Sequence, residues 1–253
     1  MATVAVQANE HPQRWRALHT WSILALVAAI GVIGVWLPRA GENWSYLENP
    51  PLVAWLAIAV LMTLVAVVGG HGITGLARGV LVDDRHRLSL SRAQMLLWTV
   101  LVLSGYLAAA LANIGRGAER PLDVAVPSEL WLAMGISTAS LVAAPAALAY
   151  KQRKRPGAVD NRGDQEDSGW DDLFRGEEVT DSDHLDLGKV QMLLFTVVVV
   201  LAYALALGDM FTSRAAFTTL PALDDAVVSL LLISHAGYLA KKALPTGPPP
   251  SGN

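Results

Sequence analysis

The chain has 253 residues, is 53% hydrophobic and only 16% charged, and carries a formal net charge of −3; its mean hydropathy is +0.40. A soluble domain carries about 25% charged residues, so the composition argues against a soluble enzyme and gives no reason to expect a nucleic-acid partner. There is no cysteine, which excludes a disulfide framework, thiol catalysis and cysteine-ligated metal.

A helix needs roughly 17–25 mostly apolar residues to cross a bilayer core, and in lipid only a helix satisfies its own backbone. In chain order, such runs cover residues 18–37, 52–68, 95–114, 130–150, 190–207 and 226–240. The first is longer than the apolar stretch of about 7–15 residues in a cleaved signal peptide, so it reads as an uncleaved anchor. The last is the shortest, but Lys241 and Lys242 can snorkel and lengthen it. The expected fold is all-α: a polytopic membrane protein of six transmembrane helices and the lipid bilayer around them.

The expected organisation is a cytoplasmic tail (1–17), a first transmembrane hairpin (18–70), a first repeat (71–151), an acidic cytoplasmic loop (152–186), the hairpin of a second repeat (187–244) and a disordered tail (245–253). Fifteen of the 19 Lys and Arg residues fall on the side holding both termini, which predicts that side to be cytoplasmic. Trp21, Trp36, Trp44, Trp55, Trp98 and Trp131 lie near span ends, where an interfacial aromatic belt would put them. His71 sits in a glycine-rich stop after the second span, with no metal-ligand partner at useful spacing.

The repeat is visible residue by residue. Segments 76–110 and 173–207 align without a gap at an offset of 97, with 16 of 35 positions identical. The helix starts match best, Gln94-Met95-Leu96-Leu97 over Gln191-Met192-Leu193-Leu194, and Ile136-Ser137 aligns with Ile233-Ser234 on the returning spans. Each unit has two spans, which predicts two parallel repeated hairpins about an axis along the membrane normal.

The Ser-Leu-Ser-Arg-x-Gln-(x)3-Trp-Thr pattern of residues 89–99 resembles a sequence recurring in uncharacterised bacterial inner-membrane proteins. So does its second copy, with Lys189, Gln191, Phe195 and Thr196, followed by the stretch from Ile233 to Leu239. The resemblance covers about two-thirds of the chain and departs at Gly188 and at His235-Ala236. It implies a bacterial cytoplasmic membrane and no activity.

Several side chains are candidates for a function. Gln94 and Gln191 each head a stripe of residues four apart, and could face each other across the axis or form ordinary interhelical hydrogen bonds. Ser91 is a candidate N-cap, and Arg92 and Lys189 would snorkel to headgroups. Gly135, Ala139 and Ala143, with Ala236 and Gly237, form small-residue rows suited to packing within the chain or in a homo-oligomer. His235 is the ionisable group well inside a span, either a proton relay or a hydrogen-bonded core histidine. Lys151, Arg153, Lys154 and Arg155 form a basic cluster expected at anionic lipid.

The loop after them holds 11 of the 22 acidic residues, with Trp170, Leu173 and Phe174 embedded among them. This is either a docking arm for a cytoplasmic protein or a solvated linker. Sequence signatures of hydrolases, zinc sites and phosphate loops are missing, so neither enzymatic activity nor a cofactor or metal is expected. The leading expectation is a membrane scaffold or anchor using its acidic loop. The alternative is a small channel or transporter with a pathway between the repeats or in a homo-oligomer.

Overall fold

The computed structural model describes residues 15–40, 49–213 and 216–244. Trp44, the first 14 residues of the N-terminal tail and the whole C-terminal tail lie outside the described residues. Among those described, six long helices account for the apolar runs: α1 (Ala17–Ala40), α2 (Pro50–Thr74), α3 (Leu90–Gly115), α4 (Ser128–Lys154), α5 (Leu187–Thr212) and α6 (Asp225–Ala243). The fold is all-α. Helices α1 to α5 contain stretches long and apolar enough to cross a membrane. Helix α6 carries Asp225, Lys241 and Lys242 within 19 residues.

Helices α3 and α5 are both 26 residues long, and both of their bounds differ by 97 positions. Equivalent side-chain caps set their starts. Ser89 accepts a hydrogen bond from the Arg92 N–H, and Asp186 accepts from the N–H groups of Gly188 and Lys189. Each cap satisfies donors that the first helical turn leaves without an internal partner. Ser91 is therefore not the cap. Ser89 takes the extended conformation two residues earlier, and Ser91 is buried inside the first turn.

Helix α3 packs against α1, α2, α4 and α5. Trp55 of α2 donates to Ser104 of α3 at 3.1 Å and stacks on Phe211 of α5, ring centroids 5.6 Å apart. Trp98 is buried against Tyr203. Trp55 and Trp98 thus fill the core instead of joining a belt, because inter-helix partners satisfy or enclose their rings. Trp21, Trp36 and Trp131 are exposed, as a belt requires.

The small-residue rows do not pack inside the chain. Gly135 and Gly237 are exposed with no neighbouring atoms where a side chain would project. Contact between α4 and α6 instead runs through buried positions, including a hydrogen bond of 2.6 Å between Ser140 Oγ and His235 Nδ1. At the end of the bundle where α3 stops, Asn113 clamps the chain before α6. Its Nδ2 donates to the Phe217 carbonyl at 2.7 Å, and its Oδ1 accepts from the Phe217 N–H at 2.9 Å.

At the opposite end, α2 runs into a short 3-10 turn, Gly79–Leu81. A side chain on Gly79 would collide with the Thr74 hydroxyl and the Gly70 carbonyl, so this junction requires glycine. The turn folds the segment before α3 back onto the bundle.

Candidate functional site: an ion-paired cap

Two connections meet at that end of the bundle, residues 75–89 and 155–186. The first is rich in arginine and the second in acid, and their opposite charges lock them together. Arg87 is buried; its Nε donates to Asp172 at 3.1 Å and its Nη1 to Asp160 at 2.9 Å. Asp172 is also fully buried and accepts from the N–H groups of Gly169 and Leu88 and from Arg162 at 3.0 Å. Burial opposes its charge. The two backbone donors, Arg162 and Arg87 more than offset that, holding its carboxyl below the usual range.

A second cluster surrounds Glu177. Lys189 at the start of α5 lies 3.0 Å away, Arg85 3.4 Å away, and Lys242 at the end of α6 is in direct contact. Burial again acts against the charge, and Lys242, Lys189 and Arg85 reverse it, so Glu177 stays well below the ordinary glutamate range. Lys189 also donates to the Asp172 carbonyl at 2.8 Å, which joins the two clusters. Lys151 pairs with Glu178, and Lys241 with Asp186 at 2.7 Å. A buried charge survives only when paired and hydrogen-bonded, and here the pairs tie α4, α5 and α6 to both connections.

The acidic segment 152–186 is therefore neither a free arm nor a solvated linker but a folded cap. Lys151 and Lys189 are buried in ion pairs instead of facing headgroups. Arg153 and Lys154 are exposed, Arg155 is half-buried and Arg92 is 37% exposed. Of the three expected anchors, Leu173 is buried with Val82, Leu88, Leu90, Met192 and Tyr238. Trp170 is 62% exposed and Phe174 is exposed as well.

The two glutamines do not face each other. Gln94 is buried and donates to Thr196 of α5 at 2.5 Å, while Gln191 is exposed. His235 is a buried partner of Ser140. The glycine run 69–72 does not stop α2, which continues to Thr74 and places His71 inside the helix, where it is hydrogen-bonded to His19 of α1 with the ring nitrogens 3.1 Å apart. His19 Nδ1 accepts from the Arg16 N–H at 2.9 Å, so its Nε2 carries the proton and donates to His71 Nδ1. Among the described residues, no three His, Asp or Glu side chains converge as metal ligands.

No known protein family, curated protein or solved structure matches the chain. Its chemistry has to be read from its own residues. Sequence reasoning missed the clusters around Asp172 and Glu177 and the His19–His71 pair. A signal for the clusters was present: one connection gathers Arg78, Arg85 and Arg87, the other half of the chain's acidic residues, and the charge pattern puts both on the same side of the membrane.

Proposed function

We propose that the protein is a six-span membrane scaffold, in the cytoplasmic membrane of a bacterium, whose cap docks a cytoplasmic protein. In this reading both termini are cytoplasmic, α6 is the sixth span, and the two 97-residue-offset units are parallel repeats. The carrying observation is the pairing of a cap locked by buried ion pairs with an exposed Trp170 and Phe174. Large aromatics on a rigid support cost little entropy to bury, which suits them as binding anchors.

The surroundings of Trp170 favour a protein over lipid. Asp164, Glu166 and Asp167 are exposed close by in the chain, and the cytoplasmic leaflet carries a negative surface potential that repels them. A partner with a basic, partly apolar face complements this patch. The channel alternative has less support. Between α3 and α5 lie the buried Trp98, Tyr203 and the Gln94–Thr196 hydrogen bond, which fill the space a pathway would need. The outward-facing Gly135 and Gly237 leave room for a homo-oligomer.

Affinity capture from native membranes tests the proposal. Trp170→Ala with Phe174→Ala should remove the captured partner while leaving the fold intact, since both side chains are exposed. Capture unchanged by the double substitution would refute the docking role. Leu173→Ala is a poor probe of docking, because it hollows the interior of the cap.

A further inference from the structure

A groove of about 850 Å³ lies between the start of α3 and the second half of α4. Its inner wall is apolar, with Met95 and Leu96 from α3 and Leu141, Val142 and Pro145 from α4. Val142 is exposed, so the groove opens on the outside of the bundle, along two helices apolar enough to cross a membrane. Pro145 helps to form it. A proline inside a helix cannot donate to the carbonyl four residues back, here Leu141, and its ring forces that turn apart.

The rim is polar and carries Arg92 and Asp84. Their closest approach is 3.8 Å, and Asp84 is 97% exposed, so the two form a loose pair accessible to a ligand. The 97-residue offset shows what Arg92 lacks. Its counterpart is Lys189, which is neutralised by Glu177; the position matching Glu177 is Val80. Tyr238 and Lys242 stand where the groove has Leu141 and Pro145, and both are buried. The second copy closes this place with its own acid and side chains. The first keeps the cation and leaves the place open.

From this we infer that the groove binds one amine-bearing zwitterionic phospholipid. An acyl chain lies along the Met95–Leu141 wall, the phosphate meets the Arg92 guanidinium, and the ammonium meets Asp84. Guanidinium binds phosphate through paired, charge-assisted hydrogen bonds. Asp84 beside it disfavours a purely anionic headgroup and matches a primary ammonium, whose three N–H groups can donate to a carboxylate. A quaternary choline has no such donor. This inference does not depend on the docking role of Trp170.

The test is native mass spectrometry of the full-length protein released from detergent after incubation with phosphatidylethanolamine, phosphatidylcholine or phosphatidylglycerol, one at a time. Wild type should retain a single phosphatidylethanolamine in preference to the other two. Arg92→Gln should lower that retention about tenfold, as expected for a lost charge-assisted hydrogen bond. Asp84→Asn should erase the preference over phosphatidylglycerol. Ala149→Trp, at an exposed lining position, should block retention by filling the groove, and Arg153→Gln should change nothing. Equal retention of all three lipids by wild type would overturn the inference. So would undiminished retention by Arg92→Gln or Ala149→Trp at an unchanged thermal midpoint.

Discussion

The start of α5 and the start of α3 carry nearly the same residues at the same spacing, yet one is sealed and the other open. Lys189 is 1% exposed and bridges to Glu177, whereas Arg92 is 37% exposed and only loosely paired with Asp84. Among the aligned differences, three bear directly on this contrast: Glu177 for Val80, Tyr238 for Leu141 and Lys242 for Pro145. The backbone frame is common to both, since side-chain caps at equivalent positions set the helix starts. Frame and function are thus decided by different residues. Caps and apolar periodicity build the hairpins, and a few charged or bulky side chains decide whether a site closes on itself or remains open to something else.

Breaking the sealed end should have the largest effect. Glu177→Gln leaves Lys189, Lys242 and Arg85 buried together without their shared anion. Loss of one partner from a buried ionic cluster costs about 3–5 kcal/mol. The cap should loosen, giving a lower thermal midpoint and protease cleavage within residues 155–186. Arg92→Gln at the open end should shift stability by no more than about 0.5 kcal/mol, as for a surface position. Comparable losses in the two variants would show that the ends do not differ in the way their geometry says.

Acid should separate the ends next. Glu177 and Asp172 both have carboxyls held below the ordinary range in the folded protein. Groups of that kind contribute stability that is fully present above the unfolded-state values, about 4 for carboxylates, and that is lost as pH falls through the folded values. Amide protection in residues 170–186, taken relative to the intrinsic exchange rate at each pH, should therefore fall as pH drops below about 4, with far less change in α3 beyond its first turns. A uniform fall in protection along the chain would point to global unfolding instead of a cap held by two acids.

The helices of this molecule were legible because their signals are local. An apolar run lies within one continuous stretch of chain, and the offset of 97 carries over to the bounds of α3 and α5 without change. The glycine run 69–72 misled, because α2 continues through it to Thr74 and is capped by Gly75 in the left-handed conformation. The cap was not legible, because it rests on partners far apart in sequence. Arg87 and Asp172 are 85 positions apart, and His19 and His71 are 52 apart. Nothing local marks Asp172 and Glu177 as buried acids among the 11 in their segment, or Leu173 as inward and Trp170 as outward. Aromatic position misled in the same way: Trp55 and Trp98 lie near span ends as belt residues do, but their ring contacts come from α5.

A smaller effect than losing the buried acid should come from the residue pair that looked most alike. Gln94 and Gln191 sit at the same step of matched helices, but only Gln94 meets a partner, Thr196 across the α3–α5 contact. Thr99, the counterpart of Thr196, is only half-buried and Gln191 points away from the bundle, so the reciprocal bond is missing. An interhelical hydrogen bond of this type contributes about 0.6–2 kcal/mol. Gln94→Leu should lower the thermal midpoint by an amount of that order, and Gln191→Leu should leave it unchanged. If the two substitutions cost the same, the hydrogen bond to Thr196 does not distinguish the glutamines. If Gln191→Leu costs more, Gln191 is packed against something outside this chain, such as a second copy of the protein.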